Sequence, residues 1–205
     1  MSGTAHPGLN LGASDARAHE RSETPVFGFW VFLMSDLIIF GILFAHYIVM
    51  TDARAFGPGP AQLFDLKSVA AQTSLLLASS YTYGMASLAM KHRERIRPVA
   101  LWLIVTAILG ATFPGLELRD FANMIAEGGV PQRSGYLSAL WALVGLHGLH
   151  VAVGLVWIAV MLALLAVRGL SNRTKTRLLL LGLYWHFLDL IWIGILSIVY
   201  LGGLA

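Results

Sequence analysis

The chain has 205 residues, of which 57% are apolar and 12% charged, about half the charged share of an ordinary soluble domain; its mean hydropathy is +0.72. This composition excludes a soluble globular fold, and the absence of cysteine excludes disulfides, a thiolate nucleophile, iron–sulfur clusters and blue copper. The net charge of +3 is read as a topology signal and gives no indication of nucleic acid as a partner.

Residues 1–25 are rich in Gly, Ala, Ser and charge and lack the apolar core of a signal peptide. They are expected to form a disordered cytoplasmic tail. A spanning helix needs about 20 mostly apolar residues. Five stretches qualify: 26–50, 69–90, 99–118, 136–167 and 178–201. The expectation is an all-α, polytopic membrane helix bundle with five transmembrane helices over residues 26–205, with no soluble domain after the fifth.

The connections punctuate these stretches. The first holds the turn signal Gly57–Pro60. The second, 91–98, is short and basic, and its Pro98 suits the first turn of a helix. The third contains Gly128, Gly129 and Pro131, and the fourth, 168–177, is again basic. Ten Lys and Arg fall on the side shared by the tail and the second and fourth loops. Only Arg54, Lys67, Arg119 and Arg133 fall on the other. The positive-inside rule then places the N-terminus in the cytoplasm and the C-terminus in the periplasm. Trp30, Trp102, Tyr184 and Trp185 near one set of ends, and Tyr47, Tyr136 and Tyr200 near the other, read as interfacial belts or as packed aromatics.

Polar groups within the apolar stretches are the candidates for function. The first helix carries Asp36, the fourth His147 and His150, and the fifth His186 and Asp189. At 1.5 Å per residue, Asp36 and Asp189 lie roughly 15 Å deep and the two histidines of the fourth helix roughly 15–20 Å. Glu117, near the outer end of the third helix, stands apart and is placed to reach the interface. His147 and His150, three residues apart, are expected on one helix face among Gly145, Gly148 and Gly154. A carboxylate at mid-membrane costs several kcal/mol unless it is neutral, paired or hydrated. The economical expectation is a carboxylate–imidazole network joining the first, fourth and fifth helices. It would act as an interhelix lock, a proton relay, or a contact for lipid or a partner subunit.

Other readings of the same residues stay open at this point. Haem could be held between His150 and His186, or zinc by His147, His150 and a carboxylate. A proton-coupled transporter or a haem-binding anchor of a dehydrogenase would use the same cluster. His6, His19 and His92 sit in hydrophilic segments and read as solvated. No phosphate loop or catalytic triad is present, so the chain is expected to carry no catalytic centre of its own.

Three ordered segments carry a family resemblance: FGFWVFLMSD at Phe27–Asp36, HGLHVAVG at His147–Gly154 and WHFLDLIWI at Trp185–Ile193. With SSYTYGMASLAM at 79–90, GLEL at 115–118 and PQRSGYLSALWALVG at 131–145, the chain resembles subunit III of haem–copper terminal oxidases over 26–205. Its five helices are similar to the short form found in cytochrome o ubiquinol oxidases, whereas cytochrome c oxidase members typically have seven. The resemblance implies a non-catalytic subunit that packs on and stabilises the haem–copper subunit I. It implies subunits I, II and IV and membrane lipids as partners. Haem and copper would reside in subunit I, and the complex would oxidise ubiquinol, reduce oxygen and pump protons across a bacterial inner membrane. The family commonly places a carboxylate, often Glu, where Asp36 stands.

Overall fold

The computed structural model describes residues 16–55, 57–92 and 96–204. The expected tail lies outside the described residues from 1 to 15. Five long helices dominate: α1 (Ala16–Met50), α2 (Leu66–His92), α3 (Ile96–Ala126), α4 (Gly135–Arg168) and α5 (Asn172–Ile195). A π-helical segment, Leu196–Leu201, continues α5 to the last described turn. A single turn at Pro60–Leu63 and a 3₁₀ turn at Pro131–Arg133 fill the two loops at one end. Among the described residues there is no strand.

The helices run past the apolar stretches that announce them, because a helix stops at a cap or a breaker and not where polarity begins. α1 starts at Ala16, ten residues before the expected 26, with Pro25 inside it. α3 continues to Ala126 and ends before Gly128, whose φ of 77° suits glycine. α5 begins at Asn172 because the Ser171 hydroxyl accepts from the Thr174 amide. α4 is bounded in the same way: the Ser134 hydroxyl accepts from the Leu137 amide, and Gly169, with φ of 65°, closes it.

Four helical spans, Pro25–Met50, Ile96–Ala126, Gly135–Arg168 and Asn172–Leu201, are long and apolar enough to cross a membrane. α2 has the length, 27 residues or about 40 Å, but its Ser, Thr and Gln content makes it less apolar than the others. Its buried polar side chains, among them Gln72 and Thr82, face neighbouring helices.

α4 and α5 form the central pair. α3 packs on α4, α2 packs on both α3 and α5, and α1 lies on the opposite flank against α4 and α5. α5 is the most enclosed, with 56% of its apolar window buried against 17% for α1. α1 touches the bundle along one stripe, Leu33, Asp36, Phe40 and Tyr47, which recurs at helical spacing. Its remaining faces, including Phe27, Ile38, Ile42 and Val49, are exposed and apolar.

Most of the aromatic residues read as belts turn out to be core. Tyr184 and Trp185 at one end, and Tyr47 and Tyr136 at the other, are buried, while Trp30 is exposed. Trp185 holds the bundle together. Its indole N–H donates to the Ser79 hydroxyl of α2 at 3.1 Å. Its six-membered ring fills the space that a Cβ would need at Gly110 of α3 and at Gly154 of α4. One side chain of α5 therefore seats three other helices, and two glycines make the room.

Candidate functional site

The intramembrane polar groups do not form a single network. His150 and Asp36 meet between α4 and α1, with Nε2 3.8 Å from Oδ2. The His150 Nδ1–H donates to the Leu146 carbonyl at 2.8 Å. With Nδ1 thus occupied, Nε2 faces the carboxylate either as a second N–H donor or as a bare acceptor. Phe40 lies with its ring centroid 5.3 Å from that of the imidazole, and the Tyr184 hydroxyl donates to the His150 carbonyl at 3.0 Å, fixing this turn of α4 against α5.

His186 and Asp189 make a separate pair on α5. The histidine Nδ1 is 3.7 Å from Asp189 Oδ2 and 2.6 Å from the Ser80 hydroxyl of α2. The His186 side chain is 51% exposed, whereas that of Asp189 is 13% exposed. This pair therefore opens to the outside of the bundle, beside a cavity of about 400 Å³ lined by Tyr81, Gly84, Ser87, Lys91 and His186.

His147 joins neither pair. It is fully buried, and its Nε2–H donates to the Leu188 carbonyl at 3.3 Å. Phe113 meets it edge-on at 5.6 Å between ring centroids, and Trp192 lies at 5.4 Å. His147 and His150 diverge because three residues turn a helix through 300°, leaving their directions about 60° apart. α4 has neighbours on both sides of that angle: α3 and α5 take His147, and α1 takes His150.

Glu117 corrects the expectation of a residue reaching the interface. It is 5% exposed, and its carboxylate lies directly on Gly148 of α4, in the space a Cβ there would occupy. Glycine at 148 lets α3 place a carboxyl group against the α4 backbone.

A polar stripe on α2 went unnoticed in the sequence. Ser68, Gln72, Ser79 and Thr82 are all buried. The Ser68 hydroxyl and the Gln72 amide donate to Asp120 Oδ2 of α3 at 2.7 and 2.6 Å. The Thr82 and Thr106 hydroxyls meet at 2.9 Å. Thr73 accepts from the Trp192 indole at 3.0 Å, and the Tyr83 hydroxyl donates to the Leu178 carbonyl at 2.5 Å. The signal was available: polar residues at 68, 72, 79 and 82 recur at the spacing of one helix face.

The geometry bears on the ligand readings. Among the described residues, no three His, Asp or Glu side chains converge to hold a metal ion. His150 is directed to α1 and His186 to the outer side of α2 and α5, so the two do not face one another across a haem. Among the described residues, neither the zinc set nor the bis-histidine set left open by the spacing is assembled.

The sequence profile described as Cytochrome c oxidase subunit III matches residues 18–204. Cytochrome bo(3) ubiquinol oxidase subunit 3 of Pseudomonas aeruginosa is 44% identical over 193 residues, covering 94% of this chain and 92% of that protein. The protein of the same name from Pseudomonas putida is 45% identical over 90% of this chain and 89% of its own length. Quinol oxidase subunit 3 of Bacillus subtilis is 40% identical over 95% of this chain and 96% of its own. Nearly the whole bundle is matched in each case, so the chain belongs to the cytochrome c oxidase subunit III family.

Proposed function

We propose that this chain is subunit III of a cytochrome o-type ubiquinol oxidase, a multi-pass inner-membrane subunit that packs on and stabilises the haem–copper subunit I. The carrying observation is the match to quinol oxidase subunits over more than nine-tenths of both lengths. In this reading haem and copper belong to subunit I, subunits II and IV complete the complex, and ubiquinol is the electron donor. α2 spans the membrane with the other four helices, its polar face turned inward. The connections between α2 and α3 and between α4 and α5 face the cytoplasm, and those at 51–65 and 127–134 face the periplasm.

The polar pairs act as fastenings. Asp36–His150 ties α1 to α4, Ser80–His186 ties α2 to α5, and Gln72–Asp120 ties α2 to α3. The transporter reading lacks the continuous cluster it requires. Mild-detergent purification through a tag on this chain tests the proposal. The expected result is a complex with a reduced-minus-oxidised haem spectrum that consumes oxygen with a ubiquinol analogue and not with reduced cytochrome c. Purification of the chain without a haem-bearing partner would overturn it.

A further inference from the structure

At the end of the bundle carrying the 51–65 and 127–134 loops, polar atoms are buried without protein partners. They are the hydroxyls of Tyr47 and Tyr136, Glu117 Oε1 and Gln72 Oε1. All four residues are at least nine-tenths buried. The Tyr47 and Tyr136 rings lie 5.7 Å apart, so their hydroxyls are neighbours, and neither makes a hydrogen bond within 3.5 Å. The Tyr200 hydroxyl lies within electrostatic reach of Tyr47, Glu117 and Asp120. Asp120 and Tyr200 also line a cavity of about 150 Å³ with Asp65, Asn123 and Glu127. Gln72 and Ser68 close on the same Asp120 carboxylate.

These features form a sequence from outside to inside. An acid-lined cavity meets Asp120 and Tyr200, which neighbour Glu117 and the two unpartnered tyrosines. Buried polar groups in native proteins are hydrogen-bonded, to ordered water where protein does not serve. The cavity has room for several waters at roughly 30 Å³ each. An apolar sealing of this end would need the four orphaned atoms to go unsatisfied together, whereas buried tyrosines elsewhere in the bundle are bonded: Tyr83 to the Leu178 carbonyl and Tyr184 to the His150 carbonyl.

We propose that this end of the bundle is a water-binding site: ordered waters bridge Tyr47, Tyr136 and Glu117 and are continuous with the cavity at Asp120 and Tyr200. Glu117 is then an interior carboxyl wetted from the 51–65 end.

X-ray radiolytic labelling of the intact oxidase in isotope-labelled water tests this, because hydroxyl radicals made from bound water oxidise the side chain beside them. Tyr83 and Tyr184 serve as internal controls, equally buried but with bonded hydroxyls. The expected result is oxidation of Tyr47 and Tyr136 several-fold faster than of either control, carrying the water isotope. Oxidation no faster than the controls would overturn the proposal. Glu117→Gln supplies a second readout by infrared difference spectroscopy. A carboxyl band lost in this variant should shift in heavy water within minutes in the parent complex. A Glu117 band unmoved by heavy water overturns the continuity with the cavity.

Discussion

Asp36 and His150 show how little the identity of a residue says until its neighbour is known. Each alone is costly at mid-membrane depth; 3.8 Å apart, they form an ion-pair contact between two helices. Removing one strands the other, so His150→Leu should lower thermal stability more than the Asp36→Leu/His150→Leu double variant does. A double-mutant cycle on the melting of the purified complex should return a coupling of about 0.5–3 kcal/mol, and additive losses would show that the pair is incidental. The glycines divide just as sharply. A Cβ at Gly154 would sit 2.9 Å from the Trp185 ring, while one at Gly145 meets nothing within 4 Å. Gly154→Ala should cost about 1–3 kcal/mol of stability by overpacking, and Gly145→Ala should leave the melting temperature in place.

Among the elements, α2 is the one whose composition misleads. Its hydroxyls and amide lower its hydropathy, yet they are spent inside the bundle on α3 and α5 or on its own preceding turn, as when the Thr73 hydroxyl donates to the Val69 carbonyl. Interhelix hydrogen bonds in membranes are worth about 0.6 kcal/mol on average and at most about 1.7. The stripe therefore sets register more than it sets total stability. Gln72→Leu makes α2 more apolar but takes the 2.6 Å amide donor from Asp120. It should destabilise the α2–α3 pair, read as faster proteolysis of the 91–98 loop in detergent, despite the gain in hydropathy. Slower proteolysis would show that hydropathy outweighs the fastening.

For the whole molecule, charge placement carries the topology prediction. Single cysteines introduced at Gln132 and Asn172 of this cysteine-free chain should be labelled by an impermeant maleimide from opposite sides: Gln132 in intact spheroplasts, Asn172 only in inverted vesicles. The reverse pattern would invert the orientation. At this scale the sequence was highly legible. Five helices, their loops and the family were readable because apolar length and three ordered motifs are local signals. The candidate site was legible only as a set of residues. That Asp36 would meet His150, that His147 would turn away among Phe113 and Trp192, and that Glu117 would settle on Gly148 depend on which helix lies beside which. Helix adjacency leaves no trace in a hydropathy profile. The place of Trp185 stayed open for the same reason: a tryptophan near the end of an apolar stretch has the same local sequence whether it meets headgroups or two glycines.

The flank position of α1 bears on how the chain is made. α1 leaves the ribosome first, yet the helices it packs on, α4 and α5, are the last to appear. At about 5–20 residues per second, the interval between Asp36 and His150 lasts roughly 6–23 s. Throughout it, Asp36 is without its imidazole partner. Synthesis order and packing order run opposite ways in this bundle. A nascent chain halted after α3 therefore carries in α1 an acid whose partner has not yet been made.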